Sequence, residues 1–263
     1  MSDDPADPTR AEPADLDAPP GLDDLREELA DELGQRGFDL VAGTTVEAYH
    51  DVLGRRDDGA FGLPDYPSWR AEPGKSRAVL LVGSSRAVWP HFKAALAADP
   101  RRTSEQHPFD RWTSEVISRA VVMVVGPHYA FDVRFAFEGG VRAFSALHLA
   151  QATGLAHRGP AGLAISPLFG PWLALRAAVV VDMPGRPAAA PDPVCDRCAD
   201  KPCMVALAAA MGQRDRADIA HDAVRERWRD WLAVRDACPV GRDLRYGDEQ
   251  IRWHYAHDRG ALE

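Results

Sequence analysis

The chain has 263 residues, 46% of them hydrophobic, which suits one large domain or a domain with a cap. Its formal net charge of −9 argues against a nucleic-acid-binding protein, since such a protein needs a basic face. No apolar run approaches the ~20 residues of a membrane-spanning helix, so no membrane association is expected. The acidic, proline-rich start is unlike a signal peptide, and we expect a cytoplasmic protein.

The first part of the chain divides at residue 20. Residues 1–20 hold six acidic groups, one arginine and five prolines, a composition typical of a disordered tail. Leucines at helical spacing follow, with glycine as a stop signal. Helices are predicted from Leu22 to near Gly37, over 89–98 and over 111–118. A fourth helix is expected to end near Gly154, with Phe137, Val141, Phe144 and His148 on one face. The last predicted helix covers 218–236 and buries Val224, Trp228, Trp231 and Leu232.

Short apolar runs between these helices predict buried strands. They lie at 78–83, 121–125, 163–166 and 172–182, with loops at 55–75 and 183–194. Mixed helices and buried strands in this order predict an α+β or α/β sandwich with a C-terminal cap. We therefore expect three parts: a tail over 1–20, a main domain over 21–182 and a cap over 183–263.

The most informative segment runs from residue 158 to residue 181. Glycines and prolines punctuate two apolar runs, and the second run ends in a block of valines. Arg176 lies inside that second run, where a buried strand normally carries no charge. Its guanidinium therefore needs either a structural salt bridge, for which Asp182 is a candidate, or a ligand.

The cysteines form a second informative pattern. Cys195, Cys198 and Cys203 make a C-x2-C-x4-C motif, and Cys238 is followed by Pro239. A thiolate-rich site selects zinc or an iron–sulfur cluster, and a Cys-Pro pair closing the motif is typical of ferredoxin-type clusters. The spacing leaves a [4Fe-4S] cluster, a zinc ion and redox-active thiols as alternatives. A structural disulfide is disfavoured in the expected compartment.

Two blocks of the sequence resemble the CblC family of cyanocobalamin reductases and alkylcobalamin dealkylases. The first covers about 137–182 and contains the segment around Arg176. The second covers about 221–255, and a segment related to the first occurs in epoxyqueuosine reductases, which use cobalamin and ferredoxin-type clusters. The second block carries Trp228-Arg229-Asp230-Trp231, then Arg235-Asp236-Ala237, then Arg245-Tyr246 and Glu249-Gln250.

This resemblance implies a flavin-nitroreductase-like scaffold and a function in cobalamin processing. The expected activity is removal of the upper ligand from base-off cobalamin, by reductive decyanation or by thiol-dependent dealkylation. The electron donor would be FMN or the cysteine cluster, and the thiol glutathione or another small thiol. A homodimer or a cobalamin-accepting partner protein is also expected. Two alternatives remain: a non-catalytic cobalamin carrier, and an iron–sulfur or flavin oxidoreductase with another substrate.

The resemblance also assigns roles to individual residues. Arg176 and Arg235 match arginines that bind the carboxylates of glutathione, for which a planar guanidinium is well suited. Arg245 is a candidate third arginine. The residues matched to cobalamin-contacting positions are His148, Ala161, Gly162 and Leu175. Each role has an ordinary structural alternative: a core histidine for His148, simple turn chemistry for Ala161 and Gly162, and structural salt bridges for the arginines.

Overall fold

A computed structural model describes residues 19–54, 61–63, 77–212 and 226–263. The predicted acidic tail up to residue 18 lies outside the described residues, as does most of the predicted loop over 55–75. The first part of the helix predicted over 218–236, with Val224, is also outside them.

Six strands are described: β1 (Leu40–Thr45), β2 (Arg77–Ser84), β3 (Phe131–Phe135), β4 (His157–Arg158), β5 (Ala164–Ile165) and β6 (Ala174–Pro184). A four-stranded antiparallel sheet forms the centre of the molecule, with the strand order β1-β2-β6-β3. The central strands β2 and β6 are almost wholly apolar because helices cover both of their faces. A separate two-stranded ribbon pairs β4 with β5. The protein is therefore a mixed α+β structure.

Helices pack on both faces of the sheet. The described α-helices are α1 (Leu22–Gly34), α2 (Val46–Leu53), α3 (Val88–Ala98), α4 (Pro108–Val124), α5 (Ala146–Ala152), α6 (Pro202–Met211), α7 (Trp228–Asp236) and α8 (Asp248–Ile251). On one face, leucines of α1 and aromatic residues of α3 and α4 bury Leu80 and Val179. On the other face, α2 and α5 cover Leu81 and Val180. Neighbouring residues of a strand thus serve opposite layers, as the period of two requires.

The prediction of a strand over 121–125 is wrong. These residues form the C-terminal turn of α4, which begins with Pro108 in its first turn and continues to Val124. Ile117, Val121 and Val124 share a buried face at helical spacing. Packing of that face against the core outweighs the preference of valine for strands.

The prediction of a single helix that carries Phe137, Val141, Phe144 and His148 is also wrong. Strand β3 ends at Phe135, a short 3-10 turn over Gly140–Arg142 follows with Gly140 at a φ of +61°, and α5 begins only at Ala146. The side chains of Phe137 and Val141 are exposed, while Phe144 is buried. The three apolar residues therefore lie in the connection between β3 and α5, and only His148 lies in the helix.

The C-terminal residues complete the main core as well as covering it. Trp253 and Leu262 are buried in the cluster formed by α1, α3 and α4, whereas α7 packs on α6. Strands β1, β3 and β4 and helices α2, α6 and α8 were not predicted. Most of these elements are short, and α6 is apolar all round, so its sequence shows no helical period. None of the described helices is long and apolar enough to cross a membrane.

Candidate functional site

A β-bulge turns Arg176 out of the regular pleat of β6. Val82 of β2 is paired with Ala177, but its neighbour Gly83 is paired with Leu175, so Arg176 is the extra residue. A bulge re-aims the side chain that it carries. Leu175 consequently packs with the α2–α5 layer, while Arg176 contacts Phe109 of α4 on the opposite layer.

Two contacts and one unpaired donor define the surroundings of Arg176. Its Nε donates to Ser84 Oγ at 3.1 Å, and its guanidinium carbon lies 4.7 Å from the ring centroid of Phe109. Its Nη2 is buried without a hydrogen-bond partner among the described residues. Burial lowers the pKa of Arg176, an effect that Tyr246 and Asp110 partly offset. A guanidinium with a buried, unused donor is prepared for an anionic ligand.

Arg176 borders two adjoining cavities. The first, which we call the cap cavity, has a volume of about 470 Å³. The second, the Asp110 cavity, has a volume of about 490 Å³. Arg176, His254 and His257 line both. The cap cavity is completed by Ala161, Leu163, Ala174, Leu207, Trp231, Val234, Arg235, Tyr246 and Tyr255, and the Asp110 cavity by Gln106, His107, Phe109, Asp110, Trp253 and Arg259.

Arg235 lies on the α7 wall of the cap cavity. Its guanidinium carbon is 6.0 Å from the ring centroid of Trp172 and 5.8 Å from that of Tyr255, so aromatic faces orient it. Arg245 also faces Trp172, but its Nε donates to Asp236 Oδ1 at 2.7 Å and it does not line either cavity. The structure therefore brings Arg176 and Arg235 together and places Arg245 in a surface ion pair.

Three titratable groups with shifted pKa values complete this region. Burial raises the pKa of Tyr246, whose side chain is 2% exposed, and Arg235 and Arg176 partly offset that rise. Burial, followed by the charges of Arg176 and Arg235, lowers the pKa of His254 well below its ordinary value. The ring of His254 is therefore neutral at pH 7. Burial likewise raises the pKa of Asp110, against the opposing effect of Arg176.

The four cysteines line a third, much smaller cavity of about 30 Å³. Cys195, Cys198 and Cys203 come from the segment before and at the start of α6, while Cys238 follows α7. Among the described residues, no three His, Cys, Asp or Glu side chains are arranged to hold a metal ion. The motif has nevertheless gathered all four thiols around one space.

The thiols are close enough to influence one another. Burial, and then the thiols of Cys238, Cys203 and Cys198 in that order, together raise the pKa of Cys195 to about 11. A side chain at Gly159 would reach 3.4 Å from Cys195 Sγ and collide with Ile165, so glycine keeps this space open. The donor set and the glycine cradle suit a thiolate-bound group, whose binding would release the thiol protons.

The other residues matched by resemblance lie in different places. Ala161 lines both the cysteine cavity and the cap cavity. Gly162 has a φ of +83° with open space around it, as tight-turn chemistry requires. Leu175 packs with the α2–α5 layer. His148, whose Nδ1 lies 2.6 Å from Ser145 Oγ, belongs to α5 and lines neither cavity at Arg176.

Sequence reasoning missed Ser84, Asp110 and His254. Ser84 ends an apolar strand and Asp110 lies in the first turn of a helix, so neither carries a local signal. His254 is flanked by aromatic residues, which indicates burial but not a ligand. The sequence does single out Tyr246, because it belongs to the arginine-tyrosine pair of the second block that resembles the CblC family.

Two glycines join the segment after β5 to the segment after α7. Gly170 has a φ of +54°, and a side chain there would collide with the carbonyl of Val240. Gly241 has a φ of +69° and packs equally closely on the carbonyl of Phe169. This backbone contact holds Cys238 next to the segment that contains Gly159 and Ala161.

Replacing Gly170 with alanine is expected to lower the free energy of unfolding by about 3 kcal/mol, since strain at positive φ adds to overpacking. Gly140→Ala is the matched control, because Gly140 also has a positive φ but no atom lies within 4 Å of an added Cβ. It should cost about 1 kcal/mol. Denaturant unfolding measures both, and equal losses would contradict the close contact with Val240.

Comparison with known proteins places this arrangement in a structural context. No protein-family model matches the chain, and no curated protein matches its sequence. The fold is similar to the Caenorhabditis elegans B12-trafficking protein CblC, a homologue of human MMACHC, with a TM-score of 0.64 and 14% identity, over 91% of this chain and 94% of that one. A selenomethionine-labelled epoxyqueuosine reductase has a TM-score of 0.50 and 14% identity, over 86% of this chain and 68% of that one. The chain therefore has a CblC-like fold.

Proposed function

We propose that the chain binds cobalamin in its base-off form and removes the upper ligand. The observation that carries this proposal is the cap cavity, where Ala161, Arg176 and Arg235 meet. Ala161 and Arg176 belong to the first block that resembles the CblC family, and Arg235 belongs to the second. The similarity in fold to CblC gives the same expectation independently of the site residues.

The cap cavity has the chemical character that such a reaction needs. Its lining includes the apolar side chains of Leu163, Leu207 and Val234, which would meet the corrin. It also includes Arg176 and Arg235, which would hold the carboxylates of a small thiol. The thiolate would attack the cobalt-bound carbon, forming a thioether and leaving the electron pair of the cobalt–carbon bond on cobalt.

In the base-off form of cobalamin the nitrogen base below cobalt is displaced, and this displacement favours removal of the upper ligand. Without that nitrogen ligand, cobalt is more easily reduced and its upper ligand leaves more readily. Substrate cobalamin therefore supplies the reactive bond, while the protein supplies binding, orientation and electrostatics. This division agrees with the described residues of the cap cavity, which combine apolar walls with two arginines.

We also propose that the four cysteines hold a [4Fe-4S] cluster, with zinc as the alternative. Ala161, Leu163 and Val234 line both the cysteine cavity and the cap cavity, so one layer of side chains separates them. When bound, such a cluster would supply single electrons, which decyanation needs and dealkylation does not. FMN is the other candidate donor implied by the resemblance.

An anaerobic spectral titration with methylcobalamin tests the proposed substrate. A saturable blue shift to the base-off spectrum is expected. Ala161→Leu narrows the cap cavity and should weaken binding at least tenfold, whereas Ala98→Leu on the exposed end of α3 should not change it. Absence of a spectral shift with the unmodified protein at up to tens of micromolar methylcobalamin would contradict the proposal that the chain binds cobalamin. A shift without turnover would favour a carrier.

A further inference from the structure

His254 occupies the junction between the cap cavity and the Asp110 cavity. It lies in the turn of π-helix that follows α8. Its Nε2 is buried without a hydrogen-bond partner among the described residues. A buried imidazole nitrogen left in this state is costly unless a ligand completes it.

Aromatic rings hold the imidazole in place. Phe109 meets it edge-on with centroids 5.2 Å apart and an angle of 88°, and Trp89 lies at 6.2 Å. Tyr246 is 6.0 Å away across the cap cavity. Phe109 also lies under the guanidinium of Arg176, so one ring fixes both groups. The nitrogen is thus positioned beside the cation that would hold the co-substrate.

The charged groups around His254 are mainly cationic. Arg176 of β6, Arg235 of α7 and His257 of its own turn all disfavour a proton on the ring. Tyr246 borders the same cavity, and Asp110 of α4 is the carboxyl group across the second cavity. The imidazole therefore stays neutral near pH 7, and its free nitrogen can accept a proton.

We propose that His254 is the general base that activates the thiol co-substrate, an inference that rests on the proposed dealkylation. The Nε2 lone pair takes the proton of the thiol as sulfur attacks the cobalt-bound carbon. A carbon–sulfur bond forms, the cobalt–carbon bond breaks with its electron pair retained by cobalt, and the proton remains on the imidazole. No other oxidant or reductant is required.

The two arginines make this base responsive to its substrate. In the free protein their charges oppose protonation of His254. A thiol that brings one or two carboxylates neutralises those charges, which makes the imidazole more basic only when the thiol is bound. A thiol lacking carboxylates would leave the base weak. This arrangement favours a small anionic thiol, such as a carboxylate-bearing peptide thiol, as the co-substrate class.

The test measures single-turnover dealkylation of methylcobalamin at saturating glutathione between pH 6.5 and pH 8. We expect the unmodified protein to show a nearly flat rate, because a bound base makes prior ionisation of the thiol unnecessary. His254→Gln should be about 100-fold slower at pH 7, within the usual range for a general base. Its rate should rise about tenfold per pH unit, following the ionised fraction of a thiol with a pKa near 8.5.

Two comparisons make the result specific. His128→Gln, at an exposed turn outside both cavities, should match the unmodified protein in rate and in pH profile. Added imidazole should restore part of the rate of His254→Ala and leave His254→Gln unchanged. The spectral titration with methylcobalamin should remain normal in His254→Gln, which separates a chemical role from a folding defect.

Several results would overturn the inference. One is a wild-type rate that itself rises tenfold per pH unit, a measurement that needs no variant. Another is His254→Gln with an unchanged rate and a flat profile. A protein that shows the base-off shift but no thiol-dependent dealkylation also removes the role for His254, while leaving cobalamin binding intact. Absence of the shift is a failure of the proposed function itself.

Discussion

Replacing Arg176 with glutamine is expected to weaken the use of glutathione about 100-fold in kcat/KM. The guanidinium has a buried, unused Nη2 and is held by Ser84 and Phe109, so it is preorganised for a carboxylate. Loss of one partner from a buried charge pair usually costs about 2–5 kcal/mol. The measurement is steady-state dealkylation of methylcobalamin over a range of glutathione concentrations.

The identity of the thiol supplies the sharpest control for this prediction. The defect of Arg176→Gln should be confined to thiols that carry carboxylates, and 2-mercaptoethanol should react with the variant at least as fast as with the unmodified protein. Arg186→Gln is the matched variant, since Arg186 is an exposed arginine paired with Asp23 and should be unaffected. An equal loss with both thiols would show that Arg176 does not anchor a carboxylate.

Changing Cys198 to serine is expected to remove iron and sulfide together from anaerobically purified protein. Thiolates bind soft metal centres far more strongly than hydroxyl groups do, so loss of one of four ligands should abolish assembly of the cluster. Metal binding to thiols that lie 35 residues apart in sequence (Cys203 and Cys238) also ties α6 to the end of α7. The melting temperature of Cys198→Ser should therefore fall clearly below that of the unmodified protein.

Val205→Ser is the control for this change, because Val205 is an exposed residue of α6 close to the motif. It should retain iron, sulfide and the melting temperature of the unmodified protein. Elemental analysis and the visible spectrum measure the metal content. Stoichiometric zinc without sulfide in the unmodified protein would contradict the cluster and support the alternative. If the purified protein contained neither iron nor zinc, the remaining alternative would be that the cysteines are redox-active thiols.

The sequence was sufficient for the elements whose pattern is strong. Leu25, Leu29 and Leu33 of α1 are fully buried at the helical spacing predicted, and the apolar runs over 78–83 and 172–182 lie within or overlap β2 and β6. The valine-rich end of α4 was assigned to a strand because a run of four or five apolar residues has no distinctive period. Only the packing of the whole helix against the sheet settles its conformation.

The site was predictable only in part, because its geometry depends on a one-residue shift in the register between β2 and β6. Arg176 was recognised from its charge within an apolar run. The face of the sheet on which its side chain lies, however, is set by the bulge opposite Gly83, and no local sequence pattern predicts that bulge. Arg235 joined it through resemblance. His254 depends on contacts with residues about 145–165 positions away in sequence, Phe109 and Trp89, and such contacts cannot be read from spacing.

The bulge at Arg176 divides β6 into two parts that are under different structural constraints. From Ala177 to Val181 the strand is locked between two helical layers, where almost any change of volume disturbs packing. From Ala174 to Arg176 it borders a cavity, where a new side chain meets the bound molecule instead of the core. Descendants of this chain can therefore acquire new ligand preferences at one end of the strand while the folding unit at the other end stays intact.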